Sequence, residues 1–185
     1  MKLYLPWILL LCLTGCCRVA ELPRWPAESE SDTASALYRF RLERSGTAKF
    51  SGLLALKPRT NGMWSALLDA TGAPLAKMII HPDGSTQVEY RAAAIRDTRL
   101  PELLGKLVEY IYFTPASAEC SRYAFSCVCL EQETPEQAVK WKRLGPLRLW
   151  EVEQTTTALQ ERITVHLKLS SILVHLERMD GEAGK

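Results

Sequence analysis

Apolar and polar residues alternate along most of the chain after residue 36, and a period of two residues predicts β-strands. In the first half the alternating runs cover residues 38–43, 49–57, 63–69, 75–81 and 85–91. Turn-forming residues separate the runs, and Asn61-Gly62 is a strong hairpin signal. The runs from residue 49 to residue 91 therefore predict four consecutive antiparallel strands in a meander.

A single register brings apolar side chains to one face of this meander. Its cross-strand pairs are Leu56 with Trp64, Leu68 with Ala76, and Ile80 with Thr86. The apolar face then consists of Phe50, Leu54, Leu56, Trp64, Leu68, Met78, Ile80, Val88 and Tyr90. The other face carries mainly charged and polar side chains, Ser65 among them, interrupted by a few leucines and an isoleucine. Because one register serves all four strands, the pattern predicts a sheet with one continuous apolar face.

Residues 97–113 change to helical spacing. Their apolar positions are Leu100, Leu103, Leu104, Leu107, Val108 and Ile111, which fall on one side of an α-helix. Asp97 or Thr98 is a candidate N-cap, and Glu102 with Lys106 forms a favourable pair one turn apart. Since no comparable partner helix follows, we expect this amphipathic helix to pack on the apolar face of the sheet.

Strand patterns return in the second half. They cover residues 122–130, 137–143, 147–153, 162–169 and 172–179, and Ser170-Ser171 is the predicted turn of the last hairpin. The predicted fold class is α+β: a curved antiparallel sheet with one amphipathic helix packed on its concave apolar face. The domain is expected to cover residues 37–180, followed by a tail of residues 181–185.

The N-terminus carries a different signal. Lys2 precedes an apolar run over residues 3–13, which is shorter than the about 20 residues that cross a bilayer and is typical of a secretory signal peptide. The next residues, Leu13-Thr14-Gly15-Cys16, resemble the lipobox of bacterial lipoproteins, with a plain signal peptide as the alternative. The resemblance implies a signal peptide of residues 1–15, acylation of Cys16, and a flexible tether over residues 16–36. Cys17, rather than Asp, follows the lipid-accepting residue, which resembles lipoproteins sorted to the outer membrane and facing the periplasm.

Composition narrows the function classes. Hydrophobic residues make up 47% and charged residues 24% of the chain, as in an ordinary globular domain. The net charge of +2 and the absence of a dense basic cluster argue against nucleic acid as a partner. No second apolar run is long enough to span a membrane, so the lipid on Cys16 is the expected membrane anchor.

A further resemblance concerns residues 38–115. The segment Trp64-Ser-Ala-Leu-Leu-Asp-Ala-Thr-Gly72, the following strand, and Leu100-Pro-Glu-Leu-Leu-Gly-Lys-Leu107 with Thr114-Pro115 resemble the LolA/LolB lipoprotein carriers. This resemblance implies an unclosed half-barrel whose concave apolar face, covered by helix, holds lipoprotein acyl chains. The implied cavity residues are the nine of the apolar face above together with Leu103, Leu104 and Leu107. One position departs from the pattern: Thr71 stands before Gly72, where a LolB-like protein has a protruding leucine.

Three cysteines lie in the second half. Export would place Cys120, Cys127 and Cys129 in an oxidising compartment, which favours a disulfide. Cys127 and Cys129 point to the same face of one strand, so we expect Cys120 to pair with one of them. A metal site is not expected, because no second cluster supplies further ligands. His166 and His175, predicted to face each other across the last hairpin, are expected to be solvated.

No catalytic motif is apparent. The chain has no G-x-S-x-G, no H-E-x-x-H and no phosphate-binding glycine loop, so we expect neither enzymatic activity nor a cofactor. The favoured function is acyl-chain binding by an outer-membrane lipoprotein that receives or localises lipoproteins or other lipids, with a periplasmic lipoprotein carrier as a possible partner. The alternative is a lipid-anchored assembly or scaffold protein of the cell envelope whose core is filled and holds no ligand. A third hypothesis is an unrecognised periplasmic enzyme.

Overall fold

A computed structural model describes residues 35–179 except residues 97, 117, 119, 124, 135, 158 and 159. The predicted signal peptide, Cys16, nearly all of the predicted tether and the tail of residues 181–185 lie outside the described residues. The lipobox therefore stays a prediction from the sequence.

The described chain is dominated by β-strands, as the alternation predicts. They are β1 (Ala36–Arg44), β2 (Thr47–Arg59), β3 (Gly62–Leu68), β4 (Pro74–Ile80), β5 (Thr86–Arg91), β6 (Ser121–Tyr123), β7 (Ser126–Thr134), β8 (Gln137–Leu144), β9 (Leu147–Thr156), β10 (Glu161–Leu167) and β11 (Ile172–Arg178). All of them belong to one antiparallel sheet in the order β5-β4-β3-β2-β1-β11-β10-β9-β8-β7-β6. Together with one short helix, this gives the α+β class.

Strand β1 lies in the interior of the sheet. It pairs with β2 on one side and with β11 on the other, so it joins two meanders into one sheet. The ends of the strand order are β5 and β6, which do not pair with each other. Within the described residues the sheet is therefore unclosed, and the chain between its two edge strands carries the helix.

This connecting segment contains three helical pieces. A 3-10 turn over Ala93–Ile95 precedes helix α1 (Leu100–Val108), which continues into a π-helical turn over Glu109–Phe113. The helix begins later than predicted, with Pro101 in its first turn and Arg99 as an N-cap that makes no side-chain capping bond. Thr98 does not cap the helix, because its hydroxyl donates to the Ile95 carbonyl at 2.9 Å.

The register between β2 and β3 corrects the prediction by one residue. Leu56 pairs with Ser65 rather than with Trp64. Because side chains alternate between faces, a shift of one residue moves every side chain of β3 to the other side. Trp64 and Leu68 therefore lie opposite the face that carries Leu56, and Ser65 lies on it.

The cause is the turn between these strands. Arg59 and Gly62 form the last pair, so the turn consists of Thr60 and Asn61. The predicted pair of Leu56 with Trp64 implies instead a loop with an odd number of residues, centred on Thr60. The composition of β3 could not reveal this, because both of its faces are largely apolar.

The predicted pair of Leu68 with Ala76 is also wrong by one residue, because Ala76 pairs with Leu67. The two one-residue errors cancel on β4. Met78 and Ile80 consequently lie on the same face as Leu56, as predicted, and Ile80 pairs with Thr86 as predicted.

The hydrophobic core joins both meanders and the helical segment in one cluster. Its buried members include Tyr38, Phe40, Leu42, Leu54, Leu56, Met63, Leu67, Met78, Ile80, Leu104, Leu107, Val108, Trp150, Val152, Ile163, Val165, Val174 and Leu176. The core thus lies on one side of the sheet.

Candidate functional site

One face of the sheet carries the core, and we call it the apolar face. Direct cross-strand partners lie on the same face of a sheet. One row of partners runs from Phe50 through Leu42, Val174 and Val165 to Val152. The apolar face therefore extends without a break across the junction at β1 and β11.

Helix α1 contributes to the same core near the edge strand β5. Leu104, Leu107 and Val108 are buried and belong to the core cluster. The helix comes close to β5 at Gly105, where an added Cβ would lie 2.1 Å from the Thr86 hydroxyl oxygen. Only glycine allows this close approach without a shift of Thr86.

Two ion pairs lie at the α1 end of the connecting segment. Arg91 of β5 binds Glu102 of α1 at 2.9 Å, and Lys106 binds Glu109 at 2.7 Å. The predicted pair of Glu102 with Lys106 is therefore wrong, because each residue binds another partner. The hydrogen bond to Glu109 raises the pKa of Lys106. Such exposed pairs contribute about 0–1 kcal/mol each.

The π-helical turn reaches the other half of the sheet. Tyr110 stacks on Trp150 of β9, with ring centroids 4.7 Å apart. The hydroxyl oxygens of Tyr112 and Tyr38 of β1 lie 3.1 Å apart. The segment therefore contacts the apolar face on both sides of the junction between the two meanders.

A lysine on the apolar face fixes the end of the segment. Lys140 of β8 pairs with Val152 and so lies on the apolar face. Its ammonium donates to the carbonyl oxygens of Ile111 at 2.8 Å and Thr114 at 3.1 Å. These hydrogen bonds satisfy carbonyls at the end of the helical segment. Burial lowers the pKa of Lys140 to about 8, because desolvation disfavours the charged form.

Tyr38, whose hydroxyl lies near that of Tyr112, belongs to a small polar cluster. The Tyr38 hydroxyl donates to the Glu161 carboxylate at 3.2 Å, and Arg178 and Gln154 donate to the same carboxylate at 3.3 and 3.0 Å. Burial raises the pKa of Tyr38 and that of Tyr112. Both hydroxyls therefore remain protonated at neutral pH.

Ser65 is a second polar residue on the apolar face. Its side chain is 0% exposed, and its cross-strand partners are Leu56 and Met78. Its hydroxyl has no hydrogen-bond partner among the described residues. A buried hydroxyl without a partner costs roughly 1–3 kcal/mol, so a polar group has been placed where stability alone favours an apolar one.

The structure sorts the twelve predicted cavity residues into three groups. Leu54, Leu56, Met78, Ile80, Leu104 and Leu107 are buried in the core cluster, and Phe50 and Leu103 pack against it. Val88 and Tyr90 are exposed on the edge strand β5. Trp64 and Leu68 lie on the opposite face, as the corrected register requires. Sequence reasoning missed Ser65 and Lys140, because a polar residue within a strand is normally assigned to the solvated face.

The loop between β3 and β4 is polar. The Asp69 carboxylate accepts hydrogen bonds from the Thr71 amide and hydroxyl and from the Ala73 amide, at 2.8, 2.6 and 3.0 Å. These bonds lower the pKa of Asp69. The loop that departs from the LolB-like pattern at Thr71 is thus a closed polar turn.

Cys120 and Cys129 form a disulfide, which is one of the two pairings considered from the sequence. Cys127 is a free thiol that accepts a hydrogen bond from Arg143 at 3.3 Å. The disulfide links the residue just before β6 to β7. It therefore constrains the edge of the sheet next to the end of the helical segment.

The two histidines of the last hairpin are not directly opposite. Leu167 pairs with Ile172, so the turn has four residues rather than two. His175 consequently pairs with Thr164, while His166 pairs with Leu173. Among the described residues, no three histidine, cysteine, aspartate or glutamate side chains are grouped as metal ligands.

The chain matches no protein-family model, no curated protein and no solved structure. The resemblance to LolA/LolB therefore remains a prediction from the residues quoted above. In the part of the chain that the structure describes, no helix has the length and apolarity needed to cross a membrane.

Proposed function

We propose that the protein binds acyl chains between the apolar face and the helical segment that crosses it. The supporting observation is that all described strands belong to one unclosed sheet, and that leucines of the single connecting segment share its hydrophobic core. A single segment can move as a unit, and an acyl chain could then take the place of its leucines. Burial of the chain would supply about 0.8 kcal/mol per CH₂ group.

Two further observations favour a ligand over a purely structural core. Ser65 provides an unpaired hydroxyl on the apolar face, which suits the ester or carboxyl end of a lipid. The segment also contains a π-helical turn, a feature frequent at functional sites. In the proposal the face is concave and the segment is a lid over it.

The location of the protein belongs to the same proposal. Acylation at Cys16 would hold the domain at the outer membrane, facing the periplasm. Lipoproteins, or the lipids they carry, would then be within reach of the apolar face, and a periplasmic lipoprotein carrier would be the donor. The rival function is a lipid-anchored scaffold, in which the same leucines fill a permanent core.

A reversible lock on the segment tests the proposal. The Cβ of Thr86 lies 3.5 Å from the position of a Cβ on Gly105, within the range that disulfides span. We therefore design Thr86→Cys with Gly105→Cys in a Cys127→Ser background. The host is residues 16–185 with Cys16→Ala, called the unlipidated chain, which retains every described helix and strand.

Uptake of a fluorescent fatty acid is the measurement. The unlipidated chain should bind it, the oxidised locked variant should not, and dithiothreitol should restore binding. The Cys127→Ser chain with and without dithiothreitol controls for reduction of the Cys120–Cys129 disulfide. Locked protein that binds as well as its reduced form would refute the lid. An unlipidated chain that binds no fatty acid, phospholipid or acylated peptide would favour the scaffold.

A further inference from the structure

Large apolar side chains are exposed at hairpin turns in the second meander. Phe125 is 88% exposed, Leu169 74%, Leu147 56% and Leu144 44%. They belong to the turns β6–β7, β8–β9 and β10–β11. An exposed leucine by itself is ordinary, but such residues at successive turns require a reason.

The topology brings these three turns to the same end of the sheet. The terminal pairs of the hairpins are Tyr123 with Ser126, Leu144 with Leu147, and Leu167 with Ile172. Ser126 also pairs with Leu144 across β7 and β8. Because neighbouring strands lie about 4.8 Å apart, the turns stand side by side at intervals of roughly 10 Å. We call this row of turns the apolar rim.

The charge of the rim has one sign. Residues 121–126, 142–148 and 166–172 contain Arg122, Lys142, Arg143, Arg148 and Lys168, and no aspartate or glutamate. Glu151, further along β9, pairs with Arg148 at 2.5 Å and lies 3.8 Å from Lys168. The other three cations have no acidic partner within the rim.

The opposite end of the sheet differs. Its β4–β5 and β7–β8 turns contain Asp83 and Glu136, and Arg59 ends β2 there. Of the large apolar residues at that end, Met179 is exposed at 38%. The apolar rim therefore differs in charge from the turns at that end. The polar β3–β4 turn with Asp69 lies at the same end as the rim, in the first meander, and is not part of the rim.

We propose that the apolar rim docks on an anionic lipid surface. Leucine and phenylalanine at the tips of turns can enter the region between headgroups and acyl chains, while flanking cations remain among the phosphates. The charge of the rim complements such a surface. A protein partner would need a contiguous apolar area instead of separated tips. This contact is independent of acyl-chain binding and of the lipid on Cys16.

Flotation with vesicles tests the rim. The unlipidated chain should bind vesicles of phosphatidylglycerol and phosphatidylethanolamine and bind vesicles of phosphatidylcholine more weakly. The triple variant Phe125→Ser, Leu147→Ser and Leu169→Ser should lower the affinity for the anionic vesicles by about tenfold or more. Arg122→Gln and Lys142→Gln should each weaken binding about fivefold, with a smaller effect of salt.

Matched controls are available at the opposite end. Met179→Ser and Arg59→Gln should leave binding unchanged, and equal melting temperatures would show that the variants are folded. Absence of wild-type binding, or triple-variant binding equal to wild type, would overturn the proposal. It would also be overturned if the triple substitution abolished self-association in sedimentation without affecting vesicle binding, because the rim would then be a contact between copies.

Discussion

Replacing Ser65 by alanine tests the buried face of the sheet most directly. The side chain is fully buried between Leu56 and Met78, and its hydroxyl has no partner in the part of the chain that the structure describes. Removing such a group recovers its desolvation cost of roughly 1–3 kcal/mol and gives up little packing, since one oxygen is lost. We expect Ser65→Ala to raise the free energy of unfolding by about 1–2 kcal/mol. For a domain of this size that corresponds to an increase in melting temperature of roughly 2–8 °C.

Urea unfolding of the unlipidated chain is the appropriate assay, because an unchanged m-value shows that the unfolded state is not altered. Ser51→Ala is the matched control: this serine lies on β2 and is exposed, so its replacement should change stability by less than about 0.5 kcal/mol. If Ser65→Ala changes stability as little as the control, Ser65 lies on the solvated face, as in the register predicted from the sequence. A loss of stability would show that the hydroxyl has a partner. Weaker fatty-acid uptake together with higher stability would indicate that the hydroxyl contacts the ligand.

Three further outcomes can be checked. Lys140 has a folded-state pKa of about 8, below its ordinary value of 10.5, so between these values the unfolded chain binds more protons. The free energy of unfolding, measured with urea, should therefore rise by roughly 2 kcal/mol between about pH 8 and about pH 10. Lys140→Met should remove this rise, and the control Lys142→Met should retain it. The double replacement Cys120→Ser and Cys129→Ser should lower stability by about 2–3 kcal/mol, the loop-closure value for so short a loop, whereas Cys127→Ser should not. Mass spectrometry of the mature N-terminus should find a diacylated Cys16, and Cys16→Ala should release the protein from membranes; an unmodified N-terminus elsewhere would contradict the lipobox interpretation.

The strands and the helix were predictable from sequence because each repeats a simple period. Alternation located the strands, and the leucines from Leu100 to Leu107 located the helix. The register of β3 was not predictable in the same way. Its two faces are similarly apolar, and the identity of the turn residues, Thr60 and Asn61, decided which of them is buried.

The residues of the candidate site were also only partly predictable from sequence. Leu104 and Met78 could be assigned to the apolar face from periodicity, but Lys140 could not, because its burial depends on carbonyls of a segment that is distant in sequence. The long-range pairing of β1 with β11 also leaves no local signal. Alternation of apolar and polar residues indicates that a strand has a buried face, but it does not indicate which other strand pairs with that strand.

The central position of β1 has a consequence for how the protein is made. Tyr38 pairs with Arg178 and Arg44 with Ile172, so β1 receives one of its two neighbours from β11, which leaves the ribosome last of the described strands. Until then, one edge of β1 can pair with another chain, a recognised route to aggregation. Folding dominated by such distant pairs is slow. A protein of this topology is therefore best kept unfolded until synthesis is complete, and loss of its last strand to premature termination would expose the middle of the sheet rather than its edge.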